Sequence, residues 1–150
     1  MAEYAVLGAG SWGTALALVL ARSGHDVRLW AHDPDMVRAM AATGHNPRHL
    51  TDIPLPAAIR PVVDLPDSVA TATTVLVAVP SHAFATTLQT LAPAISAGTP
   101  VIWATKGLDN AGGGLLHDVA AAALPEHPLA ALSGPSFAGE VARGLPTAIV

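Results

Sequence analysis

The stretch Tyr4-Ala5-Val6-Leu7-Gly8-Ala9-Gly10-Ser11-Trp12-Gly13-Thr14-Ala15-Leu16-Ala17 decides the fold. Four apolar or aromatic residues run into Gly8-x-Gly10-x-x-Gly13, and an apolar run follows. That order reads as a strand, a tight turn and the N-terminus of a buried helix. Gly8 permits the turn out of the strand. Gly10 lets a diphosphate approach the backbone where a Cβ would block it, and Gly13 lets the helix lie close to the sheet. The unpaired N–H groups of the first helical turn, with the helix dipole, then face the phosphates. A glycine-rich turn with no ligand has the same spelling, and context separates the two. A strand precedes this turn, a helix follows, and Asp33 stands 20 residues after Gly13. That is the spacing of the acidic residue that meets a ribose hydroxyl in dinucleotide-binding folds.

The 150 residues make one domain, long enough for a core. Hydrophobic residues are 51% of the chain, spread as Ala, Val and Leu over several elements, and no unbroken apolar run approaches about 18 residues. The composition suits an α/β fold with strands buried on both faces and gives no reason to expect a membrane span. Glu3 and the glycine motif stand where a signal peptide would carry a basic region. Without cysteine there is neither a disulfide framework nor a thiolate metal site, and a soluble cytoplasmic protein is the simplest expectation. A net charge of −4 and the lack of any basic run argue against a nucleic-acid surface. Six of the seven basic residues are arginines, and Lys106 is the single lysine.

Along the chain, Thr14 to Arg22 is apolar nearly all round, so that helix must be covered on most sides. Asp26 to Ala31 alternates as a second strand. Asp33-Pro34 then starts a second helix, Asp as N-cap and Pro at N1, with Met36, Val37 and Met40 inward. His45 to Pro61 reads as an irregular, functional loop with four prolines, and Val62-Val63 as a short edge strand. Leu65 to Ala70 is a short helix. Thr73 to Val79 is a β-branched central strand, and Ser81 would cap the helix that runs to about Ile95. Further strands fall at Val101–Thr105 and Leu129–Leu132, with helices at about Leu115–Leu124 and Phe137–Arg143. Leu145 to Val150 begins what looks like one more strand. The chain stops in this apolar segment, which we read as a fragment of a longer protein. The fold class expected is a Rossmann-like, doubly wound, mostly parallel sheet with helices on both faces.

The polar candidates all follow strands: the Gly8–Gly13 turn, His32-Asp33, Pro80-Ser81-His82, Thr105-Lys106-Gly107 and Ser133-Gly134-Pro135-Ser136. In an open parallel sheet the carboxyl ends of the strands form one ligand crevice. Asp33 either bonds a ribose hydroxyl or only caps its helix. His32 could meet the adenosine ribose or a 2′-phosphate, so NAD and NADP both remain open. Lys106, at a strand end and followed by glycine, can aim an ammonium at a phosphate or a polarised carbonyl. Ser133 to Ser136 offers hydroxyls and an N–H for an anion, or a plain helix cap. His45 and His49 are four apart, but Pro47 between them rules out a helical metal pair, and no metal site is expected. His82, after the Pro80-Ser81 turn, either lines the nicotinamide side or, as the preferred reading, lies on the helix surface.

Together, Gly8 to Ala17, Trp30-Ala31-His32-Asp33-Pro34, Val79-Pro80-Ser81-His82, Trp103-Ala104-Thr105-Lys106-Gly107-Leu108 and Ser133-Gly134-Pro135-Ser136-Phe137-Ala138 resemble the bacterial NAD(P)-dependent glycerol-3-phosphate dehydrogenases. The likeness covers nearly the whole chain in order. It implies that Ser11, Trp12, His32 and Ala138 contact NAD or NADP, beside Gly8, Gly10, Gly13 and Asp33. Lys106 would touch cofactor and substrate, and Gly134 and Ser136 would hold the substrate, dihydroxyacetone phosphate or sn-glycerol 3-phosphate. It also implies a role in phospholipid synthesis, a plausible homodimer, and a proton-transferring lysine beyond Val150 in a helical second domain, so no catalytic residue in this chain. Asn46-Pro47-Arg48-His49-Leu50 departs from the family's aromatic residue near position 49, and no role is carried to His49. The rivals are other dehydrogenases that pair such a domain with helices (6-phosphogluconate or ketopantoate types), and a non-catalytic dinucleotide-binding or self-associating module.

Overall fold

Residues 1–148 are described by a computed structural model, in which six parallel strands run in the order β3-β2-β1-β4-β5-β6. They are β1 (Glu3–Leu7), β2 (Asp26–Trp30), β3 (Ile59–Val62), β4 (Thr74–Val77), β5 (Val101–Trp103) and β6 (Leu129–Ala131). The helices between them are α1 (Ser11–Arg22), α2 (Pro34–Thr43), α3 (Leu65–Val69), α4 (Ser81–Leu91), α5 (Leu116–Ala123) and α6 (Ala138–Ala142). The Rossmann-like doubly wound expectation holds, and among the described residues the sheet is wholly parallel rather than mostly so.

Period-two alternation divides the core. Ala5, Leu7, Val75, Val77, Val101 and Trp103 point to one face, where α3, α4 and α5 bring Val69, Phe84, Leu88, Leu91 and Ala120. Val6, Val27, Leu29 and Leu76 point to the other, where α1, α2 and α6 bring Leu16, Leu18, Met36, Met40, Val141 and Ala142. The apolar girdle of α1 is explained by this layer: α1 lies between the sheet and α6.

The chain winds outward from β1 through β2 to β3, then returns to lay β4 on the other side of β1. The reversal opens a crevice at the carboxyl ends of β1 and β4. Gly8 sits in it with φ +113°, and a Cβ there would stand 2.7 Å from the carbonyl oxygen of Ala78, just beyond β4. Gly13 is closer still to its neighbour: a Cβ would lie 1.6 Å from the Gly8 carbonyl oxygen. The motif therefore serves packing at two of its glycines before any ligand is considered.

Several boundaries differ from expectation. α1 starts at Ser11 rather than Thr14, so Gly13 is inside its first turn. The edge strand is Ile59–Val62 and includes Pro61, which an edge strand tolerates because one side of its backbone is unpaired. The loop before it also holds a bridge between His45 and Pro54. Ser81 is the first residue of α4 and not its cap; Pro80 takes the cap position and offers no side-chain bond. Residues 145–148 form no strand, and the expected strand's last two positions, 149 and 150, lie outside the described residues.

Candidate functional site

α1 begins without a side-chain cap. Its N-cap is Gly10, in extended conformation, whereas α2 and α3 are capped by the carboxylates of Asp33 and Asp64. A helix normally satisfies its first N–H groups with such an oxygen. At α1 the first backbone N–H with an acceptor is that of Thr14, bonded to the Gly10 carbonyl at 2.9 Å. The N–H groups of Gly10, Ser11, Trp12 and Gly13 have no acceptor among the described residues. A Cβ on Gly10 would meet nothing within 4 Å, so the space over the turn is open. Free donors, the positive end of a 12-residue helix and an unobstructed approach fit the diphosphate of a dinucleotide.

Beside the turn lies a small pocket of about 20 Å³ lined by Trp12, Ala104, Lys106, Leu132, Ser133, Gly134 and Ser136. Residues from three separate strand ends thus share one cavity. The Lys106 ammonium stands 5.7 Å from the centre of the Trp12 ring, a cation–π distance that holds the cation over α1's first turn. Thr105 secures the base of this loop by donating its hydroxyl to the Val79 carbonyl at 2.8 Å, tying the ends of β5 and β4. The Ser136 hydroxyl contacts Thr147 and donates to the Ala148 carbonyl at 2.9 Å. Ser136 is therefore held by its own chain, while Gly134 keeps its backbone at the pocket wall.

The other candidates lie elsewhere. Asp33 Oδ1 caps α2 through the Asp35 N–H at 2.9 Å, while Oδ2 pairs with the Arg48 guanidinium at 2.5 Å. The hydrogen bond from Arg48, helped by the Asp35 N–H, lowers the Asp33 carboxyl from its ordinary 3.8. His32 is exposed at the end of β2, tilted against Trp30 with ring centres 6.5 Å apart. Ala138 opens α6 and packs partly buried with the α1 layer, outside the pocket lining. His82 is exposed on α4, as expected. Among the described residues no three His, Cys, Asp or Glu side chains gather as a metal site. No helix is long and apolar enough to cross a membrane.

Three residues of the proline-rich loop were missed in the sequence. His49 Nδ1 lies 3.2 Å from Ser11 Oγ, at the phosphate turn itself. Arg48 reaches Asp33, and Asn46, fully buried, bonds to Ala9 and Thr14. The loop's length and prolines marked it as functional, but nothing in its spelling said which strand end it would cover.

Comparison with known proteins agrees with this geometry. The chain is 54% identical over 148 residues to the glycerol-3-phosphate dehydrogenase [NAD(P)+] of Stenotrophomonas maltophilia, covering 98% of this chain and 43% of that protein. It is 52% identical to the Thioalkalivibrio sulfidiphilus enzyme of the same name, covering 97% of this chain and 44% of that one. The crystal structure of glycerol-3-phosphate dehydrogenase from Coxiella burnetii superposes with TM-score 0.94 at 49% identity, over 99% of this chain and 45% of that one. A ketopantoate reductase from Ralstonia eutropha is also similar, at TM-score 0.68 and 27% identity, covering 89% of this chain and 41% of that one. The chain spans less than half the length of these relatives. With residues 3–150 matching the family described as NAD-dependent glycerol-3-phosphate dehydrogenase N-terminus, the chain belongs to that family.

Proposed function

We propose that this chain is the dinucleotide-binding part of an enzyme that interconverts dihydroxyacetone phosphate and sn-glycerol 3-phosphate with NAD(P)(H). The observation that carries the reading is the single pocket in which Trp12, Lys106, Gly134 and Ser136 meet beside the uncapped N-terminus of α1. In this reading the N–H groups of Gly10 to Gly13 hold the cofactor diphosphate, with Ser11 at its edge. His32 and Asp33 lie toward the ribose, and Ala138 borders the dinucleotide. When bound, the cofactor supplies or accepts the hydride. Lys106 orients the substrate and stabilises negative charge that develops on its carbonyl oxygen. Gly134 and Ser136, which line the pocket, border the substrate. The proton-transferring residue belongs to the part of the parent enzyme beyond position 150. A cytoplasmic homodimer without nucleic-acid partners, feeding phospholipid synthesis, completes the proposal.

Fluorescence titration tests it. NADH or NADPH binds saturably, Lys106→Ala weakens binding by about 3- to 30-fold, and the 150-residue chain alone shows negligible turnover. Lack of saturable binding to either nucleotide would leave only an interaction module; turnover at an ordinary enzymatic rate would refute the placing of the proton donor.

A further inference from the structure

Asn46 is 0% exposed, and its amide is used at both ends. Nδ2 donates to the Ala9 carbonyl at 2.9 Å and to Thr14 Oγ1 at 2.9 Å. Oδ1 accepts from the Arg48 N–H and the His49 N–H, each at 3.0 Å. A buried amide with two donors and two acceptor sites satisfied has one orientation available to it. One end of this side chain grips the glycine turn. The other grips the backbone of the loop that carries Arg48 to Asp33 and His49 to Ser11.

The bond to Ala9 has a consequence at the next residue. The Ala9–Gly10 peptide is trans, as is every peptide among the described residues, so its C=O and N–H point in opposite directions. Drawing the Ala9 oxygen inward to Asn46 turns the Gly10 N–H away from it. That N–H has no acceptor among the described residues. The loop is held just as firmly past His49, where Leu50 adopts φ +55°, a left-handed conformation that costs a branched residue roughly 1 kcal/mol. Such a backbone persists where the surroundings over-determine it.

We propose that Asn46 is a positioning residue of the cofactor site. It sets the peptide plane that aims the Gly10 N–H at the cofactor diphosphate, and it locks the Arg48–His49 segment over the same turn. This rests on the dinucleotide reading above and adds a residue that is fully buried and outside the pocket lining.

The test compares Asn46→Ala with Leu88→Ala, a truncation in the core on the opposite face of the sheet. Both lose thermal stability. Asn46→Ala, judged folded by its amide NMR spectrum, loses NADH affinity by about 10- to 100-fold, as displacement of a binding group by a fraction of an ångström to 1 Å can do. Leu88→Ala stays within about threefold of the unmodified chain, because instability alone does not misaim the turn. Affinity of Asn46→Ala within twofold of the unmodified chain overturns the proposal, as does an equal loss in Leu88→Ala. Should Asn46→Ala not fold, the unmodified chain decides. Adding NADH must shift the Gly10 amide resonance while the Asn46 side-chain NH₂ protons stay protected from exchange. An unmoved Gly10 amide on a chain that binds NADH overturns the positioning role alone. Failure of the unmodified chain to bind NADH or NADPH overturns the dinucleotide reading with it.

Discussion

Gly10 and Gly13 stand three residues apart in one turn, yet a methyl group has opposite effects at the two. At Gly13 it would overlap the Gly8 carbonyl oxygen, so Gly13→Ala is expected to cost at least about 3 kcal/mol by urea denaturation. At Gly10 it meets open space, with φ −74°, so Gly10→Ala changes stability by less than about 1 kcal/mol. The same change weakens NADH binding by tenfold or more, because the methyl occupies the diphosphate's approach. Ion pairs at this scale carry a pH dependence. Arg48 holds the Asp33 carboxyl below its ordinary value, and Arg143 does the same for Asp52. Both folded values are depressed, so the unfolded chain binds more protons near pH 4 and stability rises with pH through that range. The contribution is complete above about pH 5 and lost as pH falls through the depressed values. Thermal melts between pH 3 and 6 should show a small fall, because water screens both pairs, and a smaller one in Arg48→Gln and Arg143→Gln, which lose the partner charge.

Among the elements, the contrast between α1 and its neighbours carries the argument. α2 and α3 spend an aspartate on their own N–H groups, and α1 keeps its N–H groups for a ligand. The Asp-Pro start of α2 was readable because capping depends on neighbours within three residues, whereas the Asp64 cap of α3 emerged only from the structure. The Ser81 cap was misplaced for the same reason: Pro80 also satisfies a start signal, and only the fold chooses between them. The other exposed-looking choice is α6, five residues that close the outer side of α1 through the buried Val141 and Ala142. Ala142→Leu should destabilise the chain by about 1–3 kcal/mol in denaturant titration, since no space is left between these helices.

The molecule as a whole is a doubly wound sheet whose carboxyl edge carries every functional candidate. Phe137 is 74% exposed, and Leu108, Leu115 and Leu145 are more than half exposed. All four lie in loop segments following β5 or β6. Apolar surface left open in this way favours association. Sedimentation velocity should show self-association that grows with protein concentration, and Phe137→Ser with Leu145→Ser should reduce it while leaving NADH binding within about threefold.

The sequence by itself determined the repeating strand-helix order, the phosphate turn, the aspartate that caps α2 and the strand-end positions of Lys106 and Ser133 to Ser136. These are local: they follow from alternation, capping and glycine spacing within a few residues. Only the tertiary structure decided which strand ends are adjacent, and so that Trp12 of α1 faces Lys106 from beyond β5. It also decided the use of the proline-rich loop. Asn46 lies 37 residues from Ala9, and His49 lies 38 from Ser11. Neither contact has a local signal, because a side chain that bridges distant segments acquires its partners only when the sheet brings them together.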